Sequence, residues 1–298
     1  MRTYVSGLVT LLLAAPGVAA DRPDPAALAA TIDRFVAEKL AAARVPPAPR
    51  CDDATFFRRV NLALAGRIPA TADVRAFLAD ADPDKRAKAI DRLLDSAAYA
   101  NHQTAAWRGW LLPEAVTNDQ AAAGVPAFEA WLRPRLRDGV PFDRVVTELL
   151  TAPLDGRAPP GRARLADDDP EAVNGPLAFY IAKEGKPENL AAATARVFLG
   201  VQLECAQCHD HKFAKWTRDQ FWGLAAFFGG VERSGGALRE MPGRREIVIP
   251  NSDRAVPATF LDDREPEWRF KQSARATLAA WVTAPNNPFF APDRKSVV

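Results

Sequence analysis

The sequence predicts a mainly α fold, a multi-helix domain with a small β-hairpin near the C-terminus. Three observations carry this. Apolar residues recur at helical spacing in one segment after another. Helix-start chemistry, a capping side chain followed by proline or an acidic first turn, stands ahead of several of those segments. Strand-like runs rich in β-branched residues are confined to Glu246–Pro250 and Val256–Leu261.

In chain order, Asp24-Pro25 supplies an N-cap and a proline at the first helical position. Leu28, Ile32, Phe35, Val36 and Leu40 then form an apolar stripe. Val45-Pro46-Pro47-Ala48-Pro49 ends that helix as a stiff linker. Asp52-Asp53 opens the next, through Phe56, Phe57, Val60 and Leu62, which stops near Gly66 and Pro69. Thr71 and Asp82 read as caps for Val74–Leu78 and Arg86–Leu94. Tyr99–Leu112 is a tryptophan-rich helix whose Trp107 and Trp110 have the spacing of core residues. Phe128–Arg137 and Phe142–Leu150 follow, with Pro134 expected to kink the former. Residues 152–176 read as a polar, proline-rich loop in which Asp167-Asp168-Asp169 is a solvated acidic run, because calcium loops intersperse their ligands with glycine. Pro187-Glu188 opens a helix whose buried face is Leu190, Ala193, Val197, Phe198 and Val201. Thr217 and Gln220 make a capping box, with Trp216 and Phe221 at staple positions, for a helix ending at Gly229-Gly230. Arg275–Val282 is the last helix.

Composition excludes several classes. The 298 residues carry a net charge of +2, falling to +1 if residues 1–20 leave with Arg2, so nothing calls for nucleic acid as a partner. Arg2, the apolar run Leu8–Ala15 and the small residues Val18-Ala19-Ala20 read as a secretory signal peptide over 1–20. The expected location is periplasmic or otherwise extracytoplasmic, with no integral membrane segment after cleavage. No nucleophile elbow, P-loop or dinucleotide fingerprint is present.

The chemistry concentrates in Cys205-Ala206-Gln207-Cys208-His209, the attachment sequence of a c-type haem. Two cysteines three apart can each form a thioether to one porphyrin vinyl, and the adjoining histidine can place a nitrogen on the iron. Cys205, Cys208 and His209 are therefore the cofactor-binding candidates, with His209 proximal. His102 and Met241 are candidates for the distal position, and His211 is an alternative metal ligand. Two other readings stay open. Zinc could use Cys205 and Cys208 with His209 or His211, though a second ligand pair is visible only in His102 or Cys51. A Cys205–Cys208 disulfide could brace a structural or carbohydrate-interacting scaffold with no cofactor. Cys51 reads as a partly buried small side chain beside a helix start.

Several segments resemble one family, the exported planctomycete-type cytochrome c proteins with their domain of unknown function 1549. They are Phe56-Phe57-Arg58-Arg59-Val60 with Gly66-Arg67-Ile68-Pro69, Ile90-Asp91-Arg92-Leu93-Leu94 with Tyr99, and Pro141-Phe142-Asp143 with Leu149-Leu150-Thr151-Ala152. More specific are Pro187–Leu190, Phe198 through His211, and Phe221–Phe228. The resemblance implies a helical domain over 21–265, an extracytoplasmic location and a motif suited to covalent haem c. It also implies that 266–298 is the truncated start of a second, C-terminal domain. Lys212 stands where that family has proline. The expected function is that of an exported c-type haem-binding protein, in electron transfer or as redox partner of another protein, or of the missing domain, in an extracytoplasmic catabolic system.

Overall fold

A computed structural model describes residues 24–155, 175–234, 237–241 and 243–290. The expected signal peptide over 1–20, the run Asp167-Asp168-Asp169 and residues 291–298 lie outside them. The chain forms two compact units, one ending at Asp52 and one beginning at Asp53. In the first, α1 (Pro25–Ala42) starts as its sequence predicts, with Asp24 accepting from the Ala26 amide and proline in the first turn.

The second unit holds the remaining helices. They are α2 (Asp53–Ala65), α3 (Thr71–Ala79), α4 (Lys85–Leu94), α5 (Ala97–Leu111), α6 (Asp119–Ala123), α7 (Val125–Arg137), α8 (Phe142–Leu150), α9 (Leu177–Ala182), α10 (Pro187–Thr194), α11 (Arg218–Ala226) and α12 (Ala274–Val282). Two antiparallel hairpins accompany them, β1 (Val231–Ser234) with β2 (Ala237–Glu240) and β3 (Glu246–Val248) with β4 (Ala255–Pro257). The mainly α architecture is as predicted. The β3–β4 hairpin is shorter than its sequence run, with Ile247 opposite Val256, and the β1–β2 hairpin was not anticipated.

A small cluster at the start of this unit stacks Phe57 on Phe77 at 4.3 Å, with Ala89 beneath. Asp53, in the first turn of α2, clamps it through Lys85 and Arg86, each 2.7 Å away. The expected caps shift by a residue or two. Ala70, not Thr71, precedes α3, and Asp82 caps the turn ahead of α4 by accepting from the Asp84 amide. Gly66 closes α2 at φ +67°, and the His102 ring fills the space where a side chain would stand, 2.3 Å from an ideal Cβ.

The main core runs through α7 to α12, with Phe128, Trp131, Phe179, Leu190, Phe221, Phe227 and Leu278 fully buried. Three buried cations tie its helices together. Arg135 meets Glu148 at 2.6 Å. Lys183 donates to the Leu111 carbonyl at 2.9 Å and pairs with Glu114, while burial pulls its pKa below the ordinary lysine value. Arg275 joins α8, α9, β2 and α12. Leu278, Trp281 and Phe290, from the last described segment, belong to this core. Helix α12 packs on α8, and Phe290 stacks on Phe142 at 5.5 Å.

Helix α7 continues through Pro134, which falls in its last turn and forgoes one hydrogen bond, that to the Ala130 carbonyl. Trp107 is half-buried against Phe142 at 5.0 Å, as a core spacing predicts. Trp110 departs from that expectation and is 57% exposed, because its three-residue offset from Trp107 carries it to the edge of the buried face.

Candidate functional site

The segment leading to the cysteines leaves its helix abruptly. Helix α10 gives way at Thr194 to a π-helical turn, Ala195–Leu199, and Gly200 ends it at φ +67°. The amides of Gly200 and Val201 both donate to the Ala195 carbonyl. Val201 was expected on the buried face of a continuous helix; it is buried beyond the turn instead. Wide turns of this kind re-aim the chain and recur at functional sites.

Glu204–Gln207 is a 3-10 turn, and its geometry explains the cysteine spacing. With three residues per turn, side chains at i and i+3 eclipse. Leu203 and Ala206 share the inward face and are fully buried, while Cys205 and Cys208 share the outward face as exposed free thiols. Four contacts fix the turn. Trp222 of α11, 2% exposed, donates Nε1 to the Gln207 carbonyl at 3.0 Å. Glu204 pairs with Arg196 of the π-helical turn at 2.6 Å. Asp210 Oδ1 accepts the Arg218 amide at 2.8 Å, and the His211 amide donates to the Trp216 carbonyl at 2.8 Å.

Helix α11 starts with the predicted capping box, Thr217 Oγ1 accepting from the Gln220 amide at 3.2 Å and Gln220 Oε1 from the Thr217 amide at 3.1 Å. From Phe221 to Ala226 every residue is buried, so this is a core helix enclosed all round. Each fully buried phenylalanine or leucine in it contributes roughly 1.5–3 kcal/mol. The cysteine turn thus rests on one of the most firmly packed helices in the unit.

The two histidines that follow are held in opposite tautomers. His209 Nδ1 lies 2.8 Å from the Asp210 carbonyl oxygen. That oxygen can only accept, so Nδ1 carries a proton, and in the neutral ring Nε2 keeps its lone pair. This arrangement, one ring N–H on a carbonyl and the other nitrogen bare, is how metal-ligating histidines are oriented. His211 is the reverse. Its Nδ1 accepts from the amides of Phe213 at 3.1 Å and Ala214 at 3.0 Å, so its proton sits on Nε2.

Beside the turn is an open depression of about 480 Å³, lined by Cys208, His209, Asp210, Arg218, Asp219 and Arg254. Arg254 pairs with Asp219 across it. The distal candidates are elsewhere. His102 sits on α5, against Gly66, and α5 packs on α2, α4 and α7. Met241 follows β2, with its amide donating to the Gly230 carbonyl at 2.7 Å. That is beyond the C-terminal end of α11, a helix about 14 Å long, whereas the cysteine turn adjoins its N-terminus. Among the described residues no three His, Cys, Asp or Glu side chains gather on a point that could hold a metal ion.

Haem and zinc ask different things of this donor set. Zinc needs four ligands converging on one centre. In a c-type attachment the cysteines bond to the ring edge and only the histidine reaches the iron, so the three need not converge. Trp222, Asp210, Arg218 and Arg254 were missed in the sequence reading. No local pattern flags them, since they lie up to 46 positions from Cys208 and act through the fold.

A mostly helical domain that turns a C-x-x-C-H segment outward between two core helices defines the class. The chain belongs to the PSCyt2 family, proteins of unknown function (DUF1549), whose family model matches residues 31–233 and so includes Cys205, Cys208 and His209. No curated protein and no solved structure matches the chain. Among the described residues no helix is long and apolar enough to cross a membrane.

Proposed function

We propose that this is an exported c-type haem protein serving electron transfer with a redox partner in an extracytoplasmic system, with Cys205 and Cys208 as attachment points and His209 as proximal ligand. One observation carries the reading. Two exposed thiols share a face, and the adjoining His209 holds its Nδ1 proton on the Asp210 carbonyl, which leaves Nε2 bare. Each thiol adds across a vinyl group, the sulfur bonding one carbon and the proton passing to the other, so the attachment needs no oxidant. Bound haem supplies one-electron chemistry. The protein's part is to hold the thiols outward on the 3-10 turn and to orient the His209 ring. Trp222 and Asp210 keep that turn in register with α11.

The test is expression of the full precursor in a host with c-type haem maturation. The purified protein should show a reduced α-band and retain haem through denaturing electrophoresis, and Cys208→Ala should abolish that retention. Colourless protein with Cys205 and Cys208 oxidised to a disulfide overturns the reading in favour of a scaffold.

A second reading, a carbohydrate-contacting scaffold, is favoured by the exposure of Trp110. Its indole overlooks a depression of about 530 Å³ lined also by Gly109, Pro113, Arg196 and Val197. An apolar ring beside a guanidinium donor can stack on a sugar face and bond its hydroxyls. Titration with a cello-oligosaccharide should quench tryptophan fluorescence in the wild type and not in Trp110→Ala; equal traces dismiss it.

A further inference from the structure

We infer that the turn Lys212-Phe213-Ala214-Lys215 is the docking contact for a one-electron redox protein whose surface carries carboxylates around an apolar cleft. The inference rests on the haem reading and names the kind of partner that site takes. Its starting point is Phe213, whose side chain is 93% exposed and whose ring meets no other aromatic or cationic side chain among the described residues. A phenylalanine left in water forgoes the stabilisation its burial would bring. Single exposed apolar residues are common, but this one is set apart by how it is held.

The turn that carries it is braced. The amides of Phe213 and Ala214 both donate to His211 Nδ1, at 3.1 and 3.0 Å, and the His211 amide donates to the Trp216 carbonyl at 2.8 Å. Trp216 in turn packs against Phe289, ring to ring at 5.9 Å. The Phe213 ring is thus presented from an ordered backbone, which lowers the entropy lost on contact. Phe270, 91% exposed, is the comparison: Lys271 lies over its ring at 5.4 Å, so that ring already has a partner.

The charges around Phe213 say what covers it. Lys212 and Lys215 flank it, both exposed and neither in an ion pair among the described residues, with Lys215 resting over the Trp216 ring at 5.1 Å. Unpaired cations beside an aromatic anchor select a carboxylate-bearing partner and steer its approach. The acids nearby set its class. Asp210 is exposed at the entry to the turn, and Asp219, also exposed, pairs with Arg254 just beyond it. An anionic bilayer would press on these acids as well as on the lysines, whereas a protein surface can set a donor against each. Lys212 is three residues after His209, so a partner seated here is brought to the proposed haem.

The test uses gold electrodes coated with mixed carboxylate- and methyl-terminated alkanethiols as the acidic, partly apolar surface. Haem-loaded protein should give a reversible wave there, the electrode supplying the one electron that takes ferric iron to ferrous, and none on an ammonium-terminated film. Raising the salt from about 0.01 to 0.1 M, which cuts the screening length from about 30 to 10 Å, should release it. Lys212→Glu/Lys215→Glu should lower the electroactive coverage about tenfold. Phe213→Ala should do the same on the mixed film and not on a pure carboxylate film, while Phe270→Ala should change nothing. The adsorbed mass of haem-free Cys205→Ala/Cys208→Ala protein on the same films reads the contact without the haem.

Coverage unchanged by the lysine or Phe213 substitutions, or lowered equally by Phe270→Ala, overturns the docking contact and leaves the haem reading standing. Mass adsorbed through the turn without a wave from haem-loaded protein also overturns it, since such a contact passes no electron. Phe213-dependent binding to phosphatidylglycerol vesicles tighter than to the mixed film assigns the turn to a membrane instead, and Phe213-dependent dimers in sedimentation assign it to a second copy. Colourless wild-type protein overturns the haem reading and this inference with it.

Discussion

Arg275→Met should destabilise the second unit by about 3–5 kcal/mol, the range for breaking a buried ion pair from one side. The Arg275 side chain is 3% exposed. One terminal nitrogen donates to the Leu150 carbonyl at 3.1 Å, the Ala152 carbonyl at 2.9 Å and Tyr180 Oη at 2.9 Å. Nε and the other terminal nitrogen hold the Glu240 carboxylate. Burial works against the charge, but Tyr180 and Glu240 together hold the guanidinium pKa above the ordinary arginine value. Methionine fills much of the volume and supplies no donor. The Leu150 carbonyl keeps the Tyr180 hydroxyl at 2.7 Å, so the orphaned groups are the Ala152 carbonyl and Glu240, itself one-quarter exposed. An orphaned buried acceptor costs about 1–3 kcal/mol, and the stranded carboxylate brings the total into the stated range. Glu240→Gln keeps an oxygen acceptor but leaves the buried Arg275 charge uncompensated, so it should also destabilise by more than about 1 kcal/mol. Urea denaturation followed by circular dichroism measures both. A loss below about 1 kcal/mol at unchanged slope for either variant would refute the reasoning.

Three further outcomes are expected. Trp222→Phe removes the bond to the Gln207 carbonyl and part of a buried ring, so it should cost about 2 kcal/mol and lower the haem retained per protein; a urea melt and haem staining read the two effects separately. His209→Ala should alter the visible spectrum of haem-loaded protein while leaving the melt unchanged, whereas His211→Ala should leave the spectrum intact and lower stability by about 1 kcal/mol through the lost turn acceptor. Asp53 has a pKa held below its ordinary 3.8, first by the hydrogen bond from Lys85 and then by that from Arg86. Its contribution is therefore fully present above pH 3.8 and lost as the pH falls through the lower folded value. Melts of wild type and Asp53→Asn across that acid range should converge at the low end, and a constant gap would count against the clamp.

Helices that announce themselves by chemistry were legible in the sequence. The Asp24-Pro25 start, the Thr217–Gln220 box and the apolar stripe of α8 each carry their own signal, and each is where it was expected. Short elements were not legible by periodicity. Helix α9 has six residues, fewer than two turns, and β1–β2 has four per strand. Both α6 and β1–β2 nonetheless leave a readable trace. Asn118 caps α6 by accepting from the Gln120 and Ala121 amides, and the sequence Gly235-Gly236 is of the kind that signals a hairpin. Arg275, Trp281 and Phe290 find their partners 19 to 148 positions earlier, contacts that no local pattern encodes. At the site, the motif alone named Cys205, Cys208 and His209, whereas the outward face of the cysteines and the hydrogen bonds of the two histidines depend on a turn, a carbonyl and two amides placed by the folded loop.

The opposite tautomers of His209 and His211 also allow the competing chemistries to be compared in energy. For His211 to ligate through Nδ1 it must give up two exposed backbone hydrogen bonds, together worth about 1 kcal/mol, and open the turn that carries Phe213 and Ala214. A zinc centre must in addition draw Cys205 and Cys208 inward from an outward face fixed by Leu203 and Ala206, and recruit a fourth donor that the described residues do not place nearby. Attachment to a ring edge requires none of these movements. The thiols already share one exposed face, the His209 lone pair is already free, and Trp222 and Asp210 already hold the turn against α11. On the proposed haem reading the turn keeps its arrangement on attachment, whereas a zinc centre requires it to be rebuilt.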